Sequence, residues 1–70
     1  MLLKDKSELE KYLKTPETYS IYFRANWTVG YSSVDGVFWE DYKGLETDYN
    51  TIDELIEGAN IVFPVDTGDQ

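Results

Sequence analysis

Apolar positions along this chain recur first at helical spacing, then alternately, then at helical spacing again. Leu9, Tyr12 and Leu13 fall on one helical face behind Ser7 and Glu10, which form the Ser-x-x-Glu pattern of a capping box. A helix over residues 7 to 14 follows, with an earlier start at Leu2 left open because Leu2, Leu9 and Leu13 share a face. Pro16 disfavours helical backbone at Thr15 and ends the segment. Over residues 18 to 25, Tyr19, Ile21, Phe23 and Ala25 alternate with Ser20, Tyr22 and Arg24, which predicts a strand rich in β-branched and aromatic types.

Asp35-Gly36 between Val34 and Val37 suits the type I′ turn and predicts a two-residue hairpin joining strands over 27 to 34 and 37 to 43. In that register Ser32 faces Trp39, Tyr31 faces Glu40 and Val29 faces Tyr42, so aromatic residues occupy both faces and one face stays exposed. Thr51 and Glu54 make a second capping box, and Ile52, Leu55, Ile56 and Ala59 supply the buried stripe of a helix over 51 to 58. Gly58 or Asn60 closes that helix in a left-handed cap, and Ile61, Val62 and Phe63 form a last short strand or docked tail before Pro64.

The order αβββαβ implies an α+β fold: a three-stranded antiparallel meander, with an optional short fourth strand, packed against two short helices. One domain over residues 1 to 65 and a flexible tail over 66 to 70 are expected. Seventy residues bury only about 60% of the surface of the unfolded chain, so two Trp, six Tyr and three Phe must supply much of the core. The charged N-terminal residues and the lack of a long apolar run lead to the expectation of a cytoplasmic protein.

Charge then narrows the functional classes. Residues 1 to 24 hold five basic and four acidic groups, whereas residues 25 to 70 hold Lys43 alone against ten acids. A net charge of −8 repels nucleic acid and anionic membranes and favours basic proteins as partners. With neither histidine nor cysteine, the chain lacks an imidazole base, a thiolate and any Cys/His metal site, and no cofactor is expected.

Candidate chemistries fail on spacing. Val65-Asp66-Thr67-Gly68 looks like the catalytic loop of aspartic proteases, but the β-rich body that loop needs does not follow. Counting a calcium loop from Asp48 puts Ile52 and Asp53 where an oxygen ligand and a glycine belong. Glu40 and Asp41 are strand neighbours pointing to opposite faces, so they cannot flank one glycosidic bond from the same side. The five glycines are scattered and form no phosphate loop. No enzymatic function is expected.

Residues 49 to 59 resemble the equivalent stretch of HicB-type antitoxins, where a Thr-capped Glu/Leu-rich helix also follows a meander, a likeness confined to that helix. In size and charge the chain is similar to phage-encoded inhibitors that imitate DNA, among them anti-CRISPR proteins and inhibitors of uracil-DNA glycosylase. That similarity implies a small cytoplasmic inhibitor occupying the basic groove of a nucleic-acid-binding protein. Glu40, Asp41, Glu46, Asp48, Asp53, Glu54 and Glu57 would replace phosphates, with Trp39, Tyr42 and Tyr49 as aromatic anchors. The alternative expectation is a self-associating module that pairs an exposed aromatic sheet face with a second copy.

Overall fold

The computed structural model describes residues 1–15, 20–24 and 26–67, with residues 20–24 described by their backbone alone. Its elements are β1 (Leu2–Leu3), α1 (Lys6–Lys14), β2 (Ser20–Arg24), β3 (Trp27–Ser32), β4 (Val37–Tyr42), β5 (Leu45–Tyr49), α2 (Ile52–Gly58) and β6 (Val65–Asp66). This is the expected α+β class, two helices against an antiparallel sheet. The sheet carries four strands in the order β2-β3-β4-β5, and β1 pairs with β6 in a separate ribbon, so the observed order is βαββββαβ.

α1 starts earlier than the Ser7/Glu10 pattern predicts because Asp5 is its cap. The Asp5 carboxylate accepts the Glu8 amide at 2.9 Å, and Glu8 Oε1 accepts the Lys4 amide at 2.6 Å. One amide that the helix leaves unpaired and the amide just before the cap are thereby satisfied. Glu10, freed from capping, pairs instead with Lys14 at 3.0 Å. α2 keeps its expected cap, Thr51 Oγ1 accepting the Glu54 amide at 3.1 Å. Its other end closes on Asn60 at φ 56°, with the Ile61 amide bonded to the Ile56 carbonyl at 2.9 Å and the Asn60 amide to Glu57 at 3.3 Å. This is a Schellman motif, and it turns Ile61 into the core, so that of the strand or docked tail expected over 61 to 63 the docked form is seen.

The two hairpins differ from expectation in an instructive way. Ser32 Oγ accepts the Asp35 amide at 3.2 Å, and the Gly36 amide reaches the Ser32 carbonyl at 2.8 Å, so residues 33–36 form a four-residue loop. Ser32 therefore sits opposite Val37, and Tyr31 opposite Phe38 instead of Glu40. The register moves by two residues, an even number, so every side chain keeps its expected face. The two-residue turn belongs instead to Lys43 (φ 53°) and Gly44 (φ 87°), where positive φ at both positions matches type I′ geometry and starts the unexpected β5.

Both helices lie on the sheet face that carries Val29 and Phe38. There they enclose Leu9, Leu13, Ile52, Leu55 and Ala59, and Leu3, Ile61 and Val65 complete the core at the ribbon side. Of the tail expected over 66 to 70, residues 66 and 67 are docked and 68–70 lie outside the described residues: Asp66 pairs with Leu2, and the buried Thr67 donates its amide to the Met1 carbonyl at 3.0 Å. Backbone pairing holds residues 66 and 67 although they bring little apolar surface. The Phe63–Pro64 peptide is cis. Among the described residues no helix is long and apolar enough to cross a membrane.

Candidate binding surface

Sheet register sorts the candidate residues onto two faces. Trp27, Val29 and Tyr31 of β3, Phe38, Glu40 and Tyr42 of β4, and Thr47 and Tyr49 of β5 share the helix-facing side. Thr28, Trp39, Asp41, Glu46 and Asp48 share the other, which neither helix covers.

Glu40 is therefore a correction to the expected acidic face. Only 8% exposed, it lies beside Val29, with Oε2 accepting the Trp27 indole N–H at 2.6 Å and Oε1 the Tyr49 hydroxyl at 2.8 Å. Two neutral donors from the two flanking strands satisfy a carboxylate that a partner cannot reach. Glu40 ties β3, β4 and β5 together and cannot replace a phosphate.

Tyr49 belongs to the same group rather than to an interface. Its ring lies over Gly58 at the end of α2, where a Cβ would collide with the ring carbons and the hydroxyl. Burial raises its pKa above the ordinary tyrosine value, with the hydrogen bond to Glu40 and the carboxylate's charge acting in the same direction and Thr47 opposing. The folded state thus holds this proton more tightly than the unfolded chain. The resulting stability is fully present below the unfolded tyrosine value near ~10 and is lost as pH rises through the folded one. Urea titrations at rising pH should show stability falling above about pH 10, with Tyr49→Phe flattening that alkaline limb. A limb equally steep in both proteins would remove Tyr49 as its cause.

Tyr42 packs against Trp27 with ring centroids 5.0 Å apart and planes tilted by 60°, beneath the Lys43 ammonium at 5.3 Å, and is still partly exposed at the end of the sheet. Of the three expected anchors, Trp39 alone lies on the uncovered face. The acids divide similarly. Asp41 and Glu46 are direct cross-strand partners, a like-charge pairing that weakens a sheet, and Asp48 lies opposite Trp39. Asp48 continues the surface around the sheet edge, where it lines an open concavity with Glu54, Glu57, Tyr49, Asn50 and Gly58.

Asp53 points elsewhere and pairs with Lys6 at 2.9 Å. Glu54 is partly committed to its helix, since Oε1 accepts the Asn50 amide at 2.9 Å. Among the described residues, Glu46, Asp48 and Glu57 take part in no hydrogen bond or ion pair. Nor do any three carboxylates among those residues converge as metal ligands do.

A separate hollow of about 230 Å³ among Trp27, Asn60, Ile61, Pro64 and Val65 is smaller than the roughly 300–1,000 Å³ of small-molecule sites. Sequence reasoning overlooked Trp27 and Gly58 as the supports of Glu40 and Tyr49. A signal was present in the strand phase: Glu40 alternates with the same parity as Phe38. In comparisons with known proteins, no family model, curated protein or solved structure matches this chain.

Proposed function

We propose that this protein is a non-enzymatic binding module whose acidic surface docks on the basic, nucleic-acid-binding surface of a larger protein and excludes nucleic acid from it. One observation carries the reading: Asp41, Glu46, Asp48, Glu54 and Glu57 form a run from the uncovered sheet face around its edge to α2, joined through Asp48. The like-charge Asp41–Glu46 pair burdens the sheet, a cost readily understood if a cationic partner offsets it. Similarity in size and charge to phage-encoded DNA mimics favours an anti-defence inhibitor acting in a host cytoplasm.

Addition of a second copy at the β5 edge of the sheet is disfavoured by the same residues. The edge strand β5 carries Glu46 and Asp48, and charged edge residues oppose strand addition.

Capture from a bacterial lysate tests the proposal, with elution by salt or by competing DNA. Glu46→Lys, Asp48→Lys and Glu57→Lys change residues that the fold does not use, so the triple variant should fold and lose at least about tenfold in affinity for the captured protein. Retained affinity, or capture only of the chain itself, overturns the reading.

A further inference from the structure

We infer that the uncovered sheet face receives an arginine side chain of a partner protein, its guanidinium stacked on Trp39 and its N–H groups turned toward Asp48 and Asp41. The inference rests on the binding role proposed above and names the chemistry of its centre. Trp39 sits on the inner strand β4 between two register partners, Gly30 on β3 and Asp48 on β5. Gly30 has no side chain to compete for the ring, and Asp48 lies at the cross-strand separation of about 4.5–5.5 Å. Asp41 is two residues along on the same face, about 6.6 Å away, with Oδ1 accepting the Gly44 amide at 3.0 Å, so that only its other oxygen is available to a guanidinium. A half-buried aromatic surface is thus flanked by carboxylates on adjacent strands.

The two tryptophans differ in what they do. Trp27 spends its indole N–H on Glu40 and packs against Tyr42. Trp39 has no hydrogen-bond, ring or cation partner among the described residues.

Charge complementarity selects the occupant. A nucleobase would stack on the ring, but its phosphates would meet Asp41, Glu46 and Asp48. A second copy would bring the same three carboxylates face to face, and Arg24 is the only arginine it has to offer. A lysine ammonium is a compact, strongly hydrated point charge, whereas a guanidinium is planar, weakly hydrated and able to stack while donating along its edges. Arginine on a nucleic-acid-binding surface fits all of these demands.

The test uses the whole ¹⁵N-labelled chain at low salt, titrated with the capped peptide Gly-Gly-Arg-Gly-Gly and its lysine counterpart. The indole N–H signals of the two tryptophans are assigned with Trp39→Phe. The Trp39 signal should move saturably with the arginine peptide while Trp27 stays in place, and the lysine peptide should bind at least about threefold more weakly. Asp48→Asn should weaken arginine binding about three- to tenfold, and Trp39→Leu should remove its preference over lysine.

An unmoved Trp39 signal, equal affinity for the two peptides, or an arginine preference that survives Trp39→Leu overturns the inference. Failure here is separable from failure of the broader role. A captured partner that depends on Glu46, Asp48 and Glu57 while Trp39 ignores arginine removes only this inference. Arginine binding at Trp39 without any captured nucleic-acid-binding protein removes only the inhibitor role.

Discussion

Glu40→Leu should lower the unfolding free energy by about 3 kcal/mol, a large part of the roughly 5 kcal/mol available to a domain of this size. The loss comes from the partners left behind. Leucine approximates the buried volume of the glutamate stem but strands the Trp27 indole N–H and the Tyr49 hydroxyl, which it cannot accept. Each unpaired buried donor costs about 1–3 kcal/mol, whereas replacing all the partners of a polar group by apolar ones is often nearly neutral. Combining Glu40→Leu with Trp27→Phe and Tyr49→Phe should therefore recover about half of the loss, because the two donors left without an acceptor are removed as well. Denaturant midpoints at neutral pH measure both proteins. Strictly additive losses would mean that Glu40 acts by packing alone.

Gly58→Ala should destabilise the protein by about 2 kcal/mol, against the roughly 1 kcal/mol gain that alanine brings to a helix interior. The added Cβ would clash with the Tyr49 hydroxyl and the ring carbons beside it, and the ring cannot yield without giving up its 2.8 Å bond to Glu40. Adding Tyr49→Ala should then make Gly58→Ala neutral or favourable, because the obstacle is gone. Thermal unfolding of the four proteins of this cycle checks the coupling, and independent effects at 49 and 58 would refute it.

Legibility in the sequence followed the range over which each interaction acts. α2 was readable because Thr51 and Glu54 lie three residues apart and interact as their spacing predicts. α1 was readable in its apolar stripe but not in its cap, since Asp5 and Ser7 both precede the stripe and only one geometry can win. β5 escaped because Leu45, Glu46, Thr47 and Asp48 are all exposed, leaving Tyr49 alone to mark the core side. The Asp35-Gly36 signal was real but served a longer loop, since the Ser32 side chain supplied a bond that no dipeptide preference contains.

Glu40 was the least legible residue. Its burial depends on donors 13 residues before it and nine after it, brought together by two strand pairings. The acidic surface was legible as composition but not as geometry. Asp53 and Glu40 left it, while Asp48 became the residue that joins its two halves.

The charge division noted along the chain also sets α1, where lysines and acids nearly balance, apart from the acid-only face of the sheet and from the acidic α2. Lys6, Lys11 and Lys14 belong to α1 in the helix layer, while Asp41, Glu46 and Asp48 project from the opposite side of the sheet. Such an arrangement gives the protein an electric dipole whose positive end lies at α1 and whose negative end spans the uncovered sheet face and α2. In the field of a cationic surface the molecule experiences a torque that turns its acidic side forward, and α1 away, before any contact forms. At an ionic strength of 0.15 M this orientation begins only within about 8 Å, so salt would reduce the fraction of collisions that arrive correctly turned.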